Sequence, residues 1–221
     1  MSFSLTAAET CRRGSGVIAP AWLAGVLLMT VSVPPTDASG SPAGATLVFA
    51  DFKSDRPDPG WYVVNDNVMG GRSEGNFRIE ESELHFAGRT NTDGGGFSSI
   101  RTRPVQLDLS EYTGIRLNVK GDGRRYTWRL TTDASWRGRE ISYWADFDTQ
   151  EDAWSTVDIP FSRFVPQYRG TRLDGPELDL GQITGMGLMI YDKKDGPFQI
   201  RLASVHAYSV QAPSAPETSG R

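Results

Sequence analysis

The sequence predicts an all-β domain, a β-sandwich of the jelly-roll type. From residue 46 onward, apolar and polar residues alternate with a period of two in many segments, and no segment keeps a helical period. Glycine-rich turn signals separate these segments at short spacing. About ten strands of this kind imply two packed antiparallel sheets, because a single open sheet would leave an apolar face in water.

Five strands are predicted in the first part of the domain. Leu47, Phe49 and Phe52 open it, and an apolar segment at 61–64 follows. Residues 77–79 and 83–86 form a hairpin that turns over 80–82. Three glycines at 94–96 precede a strand over 97–103.

The next two segments alternate most clearly. Residues 112–120 place Ile115, Leu117 and Val119 on one side, as expected of a half-buried strand. A turn at 121–123 leads into a strand over 126–132. We predict that these two strands pair as a hairpin.

The last part contains four further segments. Strands are expected at 141–147, 157–159 and 186–190, with one helical turn at 160–164. The final strand, 198–208, alternates through Ile200 and Leu202 and then continues at Val205 and Ala207. This slip in phase predicts a β-bulge.

The N-terminal segment has the layout of a secretory signal. Arg12 and Arg13 precede an apolar run at 17–33, and small residues and prolines follow. That run nearly reaches the roughly 17 to 25 residues of a membrane span. Residues 1–45 are therefore either a cleaved signal peptide or a retained anchor with a small-residue linker. The domain over 46–208 is expected in the periplasm or secreted, or else anchored to the inner membrane, and 209–221 is expected to be a disordered tail.

Charge and cysteine content exclude several classes of function. The 221-residue chain has a formal net charge of −4 and a pI near 5.3, which argues against binding nucleic acid. Its single cysteine, Cys11, precedes the apolar run, so the domain offers no disulfide or thiolate ligand. The basic pairs Arg124 with Arg125 and Lys193 with Lys194 are interpreted as solvated turn residues.

The stretch WYVVNDNVMGGRSEG, residues 61–75, contains the most distinctive loop. Its Asn65, Asp66 and Asn67 either cap the neighbouring strands or face a partner. The motif GRSEG at 71–75 matches the nucleophile elbow of α/β-hydrolases, yet no helical pattern follows it. Neither His85 nor His206 is placed to activate the serine, so we predict no catalytic residue.

Acidic turns and aromatic side chains are the other candidates for a site. Asp66, Asp122 and the pair Asp192 with Asp195 either hold a structural calcium ion or make Asx turns. No EF-hand spacing is present, and we predict no metal site and no cofactor. Trp144 is out of phase with its neighbours Tyr143 and Phe147, so its ring is expected to face outward. There it either stacks on a sugar or a peptide or lies under a loop.

With these residues in view, the chain resembles the NADH:ubiquinone oxidoreductase complex I intermediate-associated protein family of the thirty-kilodalton type. The resemblance covers essentially all of 46–208 and includes Trp154, Phe161 and Phe164. Its longest motifs are NDNVMGGxSEG at 65–75, GGFxSxR at 95–101, VKGDGRxY at 119–126 and DKxDGPF at 192–198. Family members usually carry asparagine before the Gly-Gly-Phe, where this chain has Gly94.

The resemblance implies a galactose-binding-like jelly roll without a cofactor, acting as a non-catalytic assembly factor for mitochondrial respiratory complex I. The mitochondrial protein works in the matrix, whereas an export signal places this chain across the membrane. We therefore expect a binding module for a protein partner, such as a respiratory membrane complex, with a carbohydrate-binding module as the alternative. Membrane contact is expected only through an uncleaved N-terminus. The candidate contact residues are Asp66, Asn67, Met69, Gly70, Gly71, Arg101, Asp122, Tyr126, Trp144, Asp192 and Lys193.

Overall fold

A computed structural model describes residues 46–53 and 59–210. The expectations for the N-terminal segment 1–45, for Cys11 and for the tail beyond residue 210 lie outside these described residues. None of the helices within the described ranges has the length and apolar character needed to span a bilayer.

The described residues form fifteen strands and three one-turn 3-10 helices. The first seven strands are β1 Thr46–Ala50, β2 Trp61–Asn65, β3 Glu74–Glu80, β4 Glu83–Thr90, β5 Ser98–Thr102, β6 Gly114–Lys120 and β7 Arg125–Thr132. The others are β8 Ser135–Trp136, β9 Arg139–Glu140, β10 Ser142–Asp148, β11 Trp154–Pro160, β12 Val165–Tyr168, β13 Thr171–Arg172, β14 Ile183–Ile190 and β15 Gly196–Tyr208. The short helices are Asp66–Met69, Phe161–Arg163 and Leu180–Gln182.

Two antiparallel sheets contain most of these strands. The six-stranded sheet has the order β11-β6-β15-β4-β3, and β1 pairs with the end of β15. The seven-stranded sheet has the order β13-β12-β10-β7-β14-β5-β2. The strands β8 and β9 form a separate two-stranded hairpin. The predicted all-β sandwich is therefore confirmed.

The alternating patterns place one face of each sheet in a shared core. Ile115, Leu117 and Val119 of β6 are fully buried, as are Trp128 and Leu130 of β7 in the other sheet. Burying an apolar side chain of this size contributes about 1.5 to 3 kcal/mol, which makes this shared core the main stabilising feature. The intervening positions on each strand point to the opposite, outer face of its sheet.

The turn at 121–123 is the clearest departure from the prediction. We expected β6 and β7 to pair as a hairpin, but β6 lies in the six-stranded sheet and β7 in the seven-stranded sheet. Both strands need to bury an apolar face, and the turn lets those faces meet across the core. Asp122 holds this corner by accepting hydrogen bonds from the Gln199 backbone at 2.8 Å and from the Tyr126 hydroxyl at 3.1 Å.

Three other local predictions are confirmed. The strands β3 and β4 form the expected hairpin, with Glu81 and Ser82 between them in the left-handed region at φ 53° and 60°. The one-turn helix Phe161–Arg163 lies within the predicted segment. The register of β15 against β6 shifts between Leu202 and Ser204, which is the expected bulge.

Candidate functional site

The carboxylate of Asp66 lies inside the protein rather than at its surface. It is fully buried and accepts hydrogen bonds from the backbone N–H groups of Ser73 at 2.8 Å, Gly96 at 2.6 Å and Phe97 at 3.3 Å. Burial alone would raise the pKa of Asp66, but these hydrogen bonds lower it below its ordinary value. The side chain thus joins the loop after β2 to the loop before β5.

The serine of the GRSEG motif is also an internal residue. Ser73 is 2% exposed, its hydroxyl donates to the Asn91 carbonyl at 3.2 Å, and it accepts from the Asn91 N–H at 2.9 Å. The strand β3 begins within the motif, at Glu74, so the strand-to-helix geometry of a nucleophile elbow is absent at this position. The side chain of Ser73 therefore links the loop before β3 to the loop after β4.

A second internal network is centred on Arg124. Its guanidinium binds Asp192 through two contacts of 2.6 and 2.9 Å, and it also donates to the Thr90 hydroxyl at 3.0 Å. The interpretation of Arg124 as a solvated turn residue is wrong, because a bidentate partner and several carbonyls fix its planar group. Arg125 does fit that interpretation, since its side chain is exposed and pairs with Asp148.

The carboxylates of the acidic turns accept hydrogen bonds from groups of the protein itself. The carboxylates of Asp66, Asp122 and Asp192 each accept at least two hydrogen bonds from neighbouring backbone or side-chain groups. Asp195 accepts from the backbone of Thr92 at 2.7 Å. Within the described ranges, no group of three or more histidine, cysteine, aspartate or glutamate side chains is arranged to hold a metal ion.

The outer face of the seven-stranded sheet has a different character. A row of residues paired across five neighbouring strands runs from Tyr62 through Arg101, Gly187 and Arg129 to Trp144. Residues paired across antiparallel strands point to the same side, so this row forms one stripe. We call these five residues the central row.

Two clefts meet over the central row. One, of about 540 Å³, is lined by Met69, Trp144 and Tyr168 among others, and the second is about 450 Å³. Arg101, Arg129 and Glu140 line both of them. The two clefts therefore form one groove across the sheet, with two arginines in its floor.

Aromatic rings form one wall of this groove. The Trp144 ring packs edge-on against Tyr191 at 5.9 Å, and the Arg129 guanidinium lies 5.7 Å from the Trp144 ring centre. The Ser142 hydroxyl accepts from both the Trp144 indole at 2.7 Å and Arg129 at 2.9 Å. The predicted outward orientation of Trp144 agrees with this arrangement, and these contacts fix the orientation of its ring.

The predicted contact residues separate into two groups. Met69, Arg101 and Trp144 line the groove, and Lys193 lies 3.4 Å from the centre of the Tyr191 ring that borders it. Asn67 and Gly70 are exposed on the loop that carries Met69. The others are engaged in internal contacts or the core: Asp66, Gly71, Asp122, Tyr126 and Asp192.

Sequence reasoning missed several residues of the groove. Arg129 alternates with the buried Trp128 and Leu130, so its outward position could be derived from the period of β7. Tyr168 lies on β12, a four-residue strand that the prediction did not contain. Nothing in the local sequence indicates that Gly187 lies between the two arginines, because that depends on the strand order.

Comparison with solved structures supports the fold. A family 11 carbohydrate-binding module from a Clostridium thermocellum cellulase aligns with a TM-score of 0.57 and 16% identity, covering 78% of this chain and 99% of the module. A segment of an agarase aligns with a TM-score of 0.53 and 14% identity, over 76% of this chain and 25% of the enzyme. At these identities the likeness establishes the fold alone.

Comparison with curated proteins identifies relatives in eukaryotes. An uncharacterised protein of Schizosaccharomyces pombe is 32% identical, over 68% of this chain and 78% of the relative. The mitochondrial complex I intermediate-associated protein 30 of Drosophila melanogaster is 28% identical over 72% of this chain, and that of Mus musculus is 26% identical over 67%. The match spans only 62% and 52% of the lengths of these two proteins.

A family profile gives the same result. Residues 50–202, which contain β2 to β14 and most of the groove-forming residues, match the profile of complex I intermediate-associated protein 30. The chain therefore belongs to the complex I intermediate-associated protein 30 family.

Proposed function

We propose that this protein is a non-catalytic binding module that holds a segment of a protein partner during assembly or maturation of a membrane complex. The segment lies in the groove on the seven-stranded sheet. The observation that carries this proposal is the central row, which combines an outward Trp144 with two arginines in one groove. Tryptophan, tyrosine and arginine are the residues that most often dominate the binding energy of protein interfaces.

The family supports the choice of a protein partner. The fly and mouse relatives are named for association with an intermediate of complex I. The internal positions of Ser73 and of the acidic turns also favour binding over hydrolysis. A partner segment that spans the groove would contact both the aromatic wall and the loop at 66–71.

Carbohydrate binding is the second candidate. One solved family 11 module of similar fold is described in complex with a β-1,3-1,4-mixed-linked tetrasaccharide, with a TM-score of 0.54 and 18% identity. The feature of this chain that favours a sugar is the pair of rings, Trp144 and Tyr168, that line the larger cleft. A sugar ligand would raise the melting temperature by mass action, and the Trp144→Ala variant would abolish that rise.

Photocrosslinking in the native host tests the protein-partner proposal. A photoreactive phenylalanine derivative at position 69, where Met69 is exposed beside the groove, is expected to crosslink one membrane-complex subunit. The same derivative at position 79 is the control, because Ile79 is exposed on the six-stranded sheet. Equal crosslinking from both positions would contradict the proposal.

The Trp144→Ala variant provides a quantitative prediction. Loss of a tryptophan at the centre of an interface costs about 2 kcal/mol or more, so we expect affinity for the crosslinked subunit to fall about 30-fold. Trp154→Ala is the matched control, because Trp154 is 44% exposed on the other sheet. A Trp144→Ala variant that keeps full affinity in a titration would show that the partner does not use the groove.

We further propose that the domain is exported. The basic residues and apolar run before residue 45 support this location. An alkaline-phosphatase fusion after residue 221 is expected to be active if the domain lies in the periplasm. An inactive fusion, with an active cytoplasmic reporter at the same junction, would place it in the cytoplasm instead.

A further inference from the structure

The two arginines of the central row are spaced around a glycine. Gly187 of β14 pairs with Arg101 of β5 on one side and with Arg129 of β7 on the other. The backbones of the two arginines are therefore separated by two strand spacings, about 10 Å. A Cβ at Gly187 would lie 3.3 Å from Cγ of Arg101, so the Arg101 side chain passes close to the glycine. The Arg129 guanidinium lies toward Ser142 and Trp144 on the other side. Both arginines nevertheless line the same two clefts.

Both guanidinium groups have unsatisfied donors. Arg129 is 9% exposed, and its Nε is buried without a hydrogen-bond partner. The Nε of Arg101 is likewise buried and unpartnered. A buried donor without a partner is unfavourable, so each arginine gains by binding an acceptor.

No carboxylate of the described residues pairs with these two arginines. Glu140 is close enough to influence the pKa values of both, yet it forms no ion pair with either within the described ranges. The outer face of the other sheet contrasts with this arrangement, since Arg116 binds Asp158 at 2.7 Å and Arg78 binds Glu80 at 2.7 Å. The groove therefore holds two arginines without an ion pair among the described residues, in a chain whose net charge is −4.

We propose that Arg101 and Arg129 form a receptor for a carboxylate, supplied by an aspartate or glutamate side chain of the partner segment. This rests on the proposed function, in which a protein segment occupies the groove. The planar guanidinium of an arginine matches the two oxygens of a carboxylate, and both arginines line the same groove. The flanking Trp144 and Tyr62 provide apolar contacts for the residues on either side of the acidic one.

The electrostatics of the groove favour the same ligand. Burial and, next, the nearby positive charge of Arg101 lower the pKa of Arg129 to about 9. Burial also lowers the pKa of Arg101, against the opposing influence of Tyr62 and Glu140. Two buried like charges repel each other, and an anion between them relieves that repulsion.

A labelled acidic peptide tests the receptor directly. The full chain is titrated with fluorescein-labelled hexaglutamate, with hexaglutamine as the neutral counterpart and trigalacturonic acid as an acidic sugar. We expect the glutamate peptide alone to bind, and its affinity to fall as the salt concentration rises. Arg101→Gln and Arg129→Gln should each weaken binding about tenfold or more. Arg78→Gln, on the other sheet, should leave it unchanged.

Three results would contradict the proposal that Arg101 and Arg129 bind a carboxylate. They are equal binding of the two peptides, unchanged affinity in Arg101→Gln, and binding of trigalacturonic acid without the peptide. Because Arg129 is buried, the thermal unfolding of each variant is measured first. If Arg129→Gln unfolds, the test uses Arg101→Gln and the charge-conserving Arg129→Lys instead. Arg129→Lys should retain part of the affinity for the glutamate peptide.

A second titration, with the subunit crosslinked from position 69, separates this proposal from the proposed function. If Trp144→Ala and Arg101→Gln both fail to bind that subunit, the result supports both the function of the groove and the carboxylate receptor. If only Trp144→Ala loses it, the groove function is retained and the carboxylate receptor is wrong. If neither variant loses it, the proposed function itself is wrong.

Discussion

Replacing Arg124 by alanine is expected to lower the free energy of unfolding by about 3 to 5 kcal/mol, the cost of leaving a buried charge without its partner. The side chain of Asp192 is only 4% exposed and would lose both contacts from Arg124. The carbonyls of Lys194 and Pro197, each 2.8 Å from the guanidinium, would also lose a donor. The loop between β14 and β15 would then lose its attachment to the corner at 121–123.

Chemical denaturation of the wild type and variant measures this loss. Arg125→Ala is the matched control, because Arg125 is the next residue and forms a comparable bidentate pair with the exposed Asp148. An exposed pair contributes about 0 to 1 kcal/mol, so the control should change stability little. Equal losses for the two variants would show that burial of the Asp192 pair has no special effect.

The Asp66→Ala variant is expected to be destabilised by about 3 kcal/mol or more, because two buried N–H groups and one partly buried N–H group lose their acceptor. Each unsatisfied buried group costs roughly 1 to 3 kcal/mol. The backbone groups affected belong to Ser73, Gly96 and Phe97. Asn67→Ala is the control, since Asn67 is exposed beside it. A loss of partner binding at unchanged melting temperature would contradict this structural role.

Acid should reduce the difference in stability between the wild type and the Asp66→Ala variant. The pKa of Asp66 is lower in the folded protein than its ordinary value, so its contribution to stability is fully present above the unfolded pKa of about 4. That contribution is lost as the pH falls through the folded pKa. Melting temperatures measured between neutral pH and pH 3 should therefore converge, and a constant difference would show that the carboxylate charge is not involved.

Much of the fold could be predicted because alternation is a local signal. The period-two pattern located most of the long strands, and the slip after Leu202 located the bulge in β15. The partner of each strand depends on which faces meet in the core, so the hairpin predicted across 121–123 was wrong. The two-residue strands β8, β9 and β13 are too short to show a period.

The candidate site could be predicted only in part. Met69, Arg101 and Trp144 were identified from a distinctive loop, a family motif and a phase argument. Asp66 and Arg124 have polar side chains that suggest exposure, yet distant loops bury them. The central row joins residues as far apart as Tyr62 and Gly187 in sequence, so it becomes visible only when the strand order is known.

The pairing of β1 with the end of β15 determines where fused sequences would lie. Thr46 is paired with Tyr208, which brings the two ends of the sandwich to within about 5.5 Å at the Cα atoms. Both strands belong to the six-stranded sheet, whereas the groove lies on the outer face of the other sheet. Affinity tags or reporter domains at either end would leave the groove accessible. A circular permutant that joins residues 46 and 208 through a short linker and opens at Gly138, where a Cβ would meet open space, should keep the same fold.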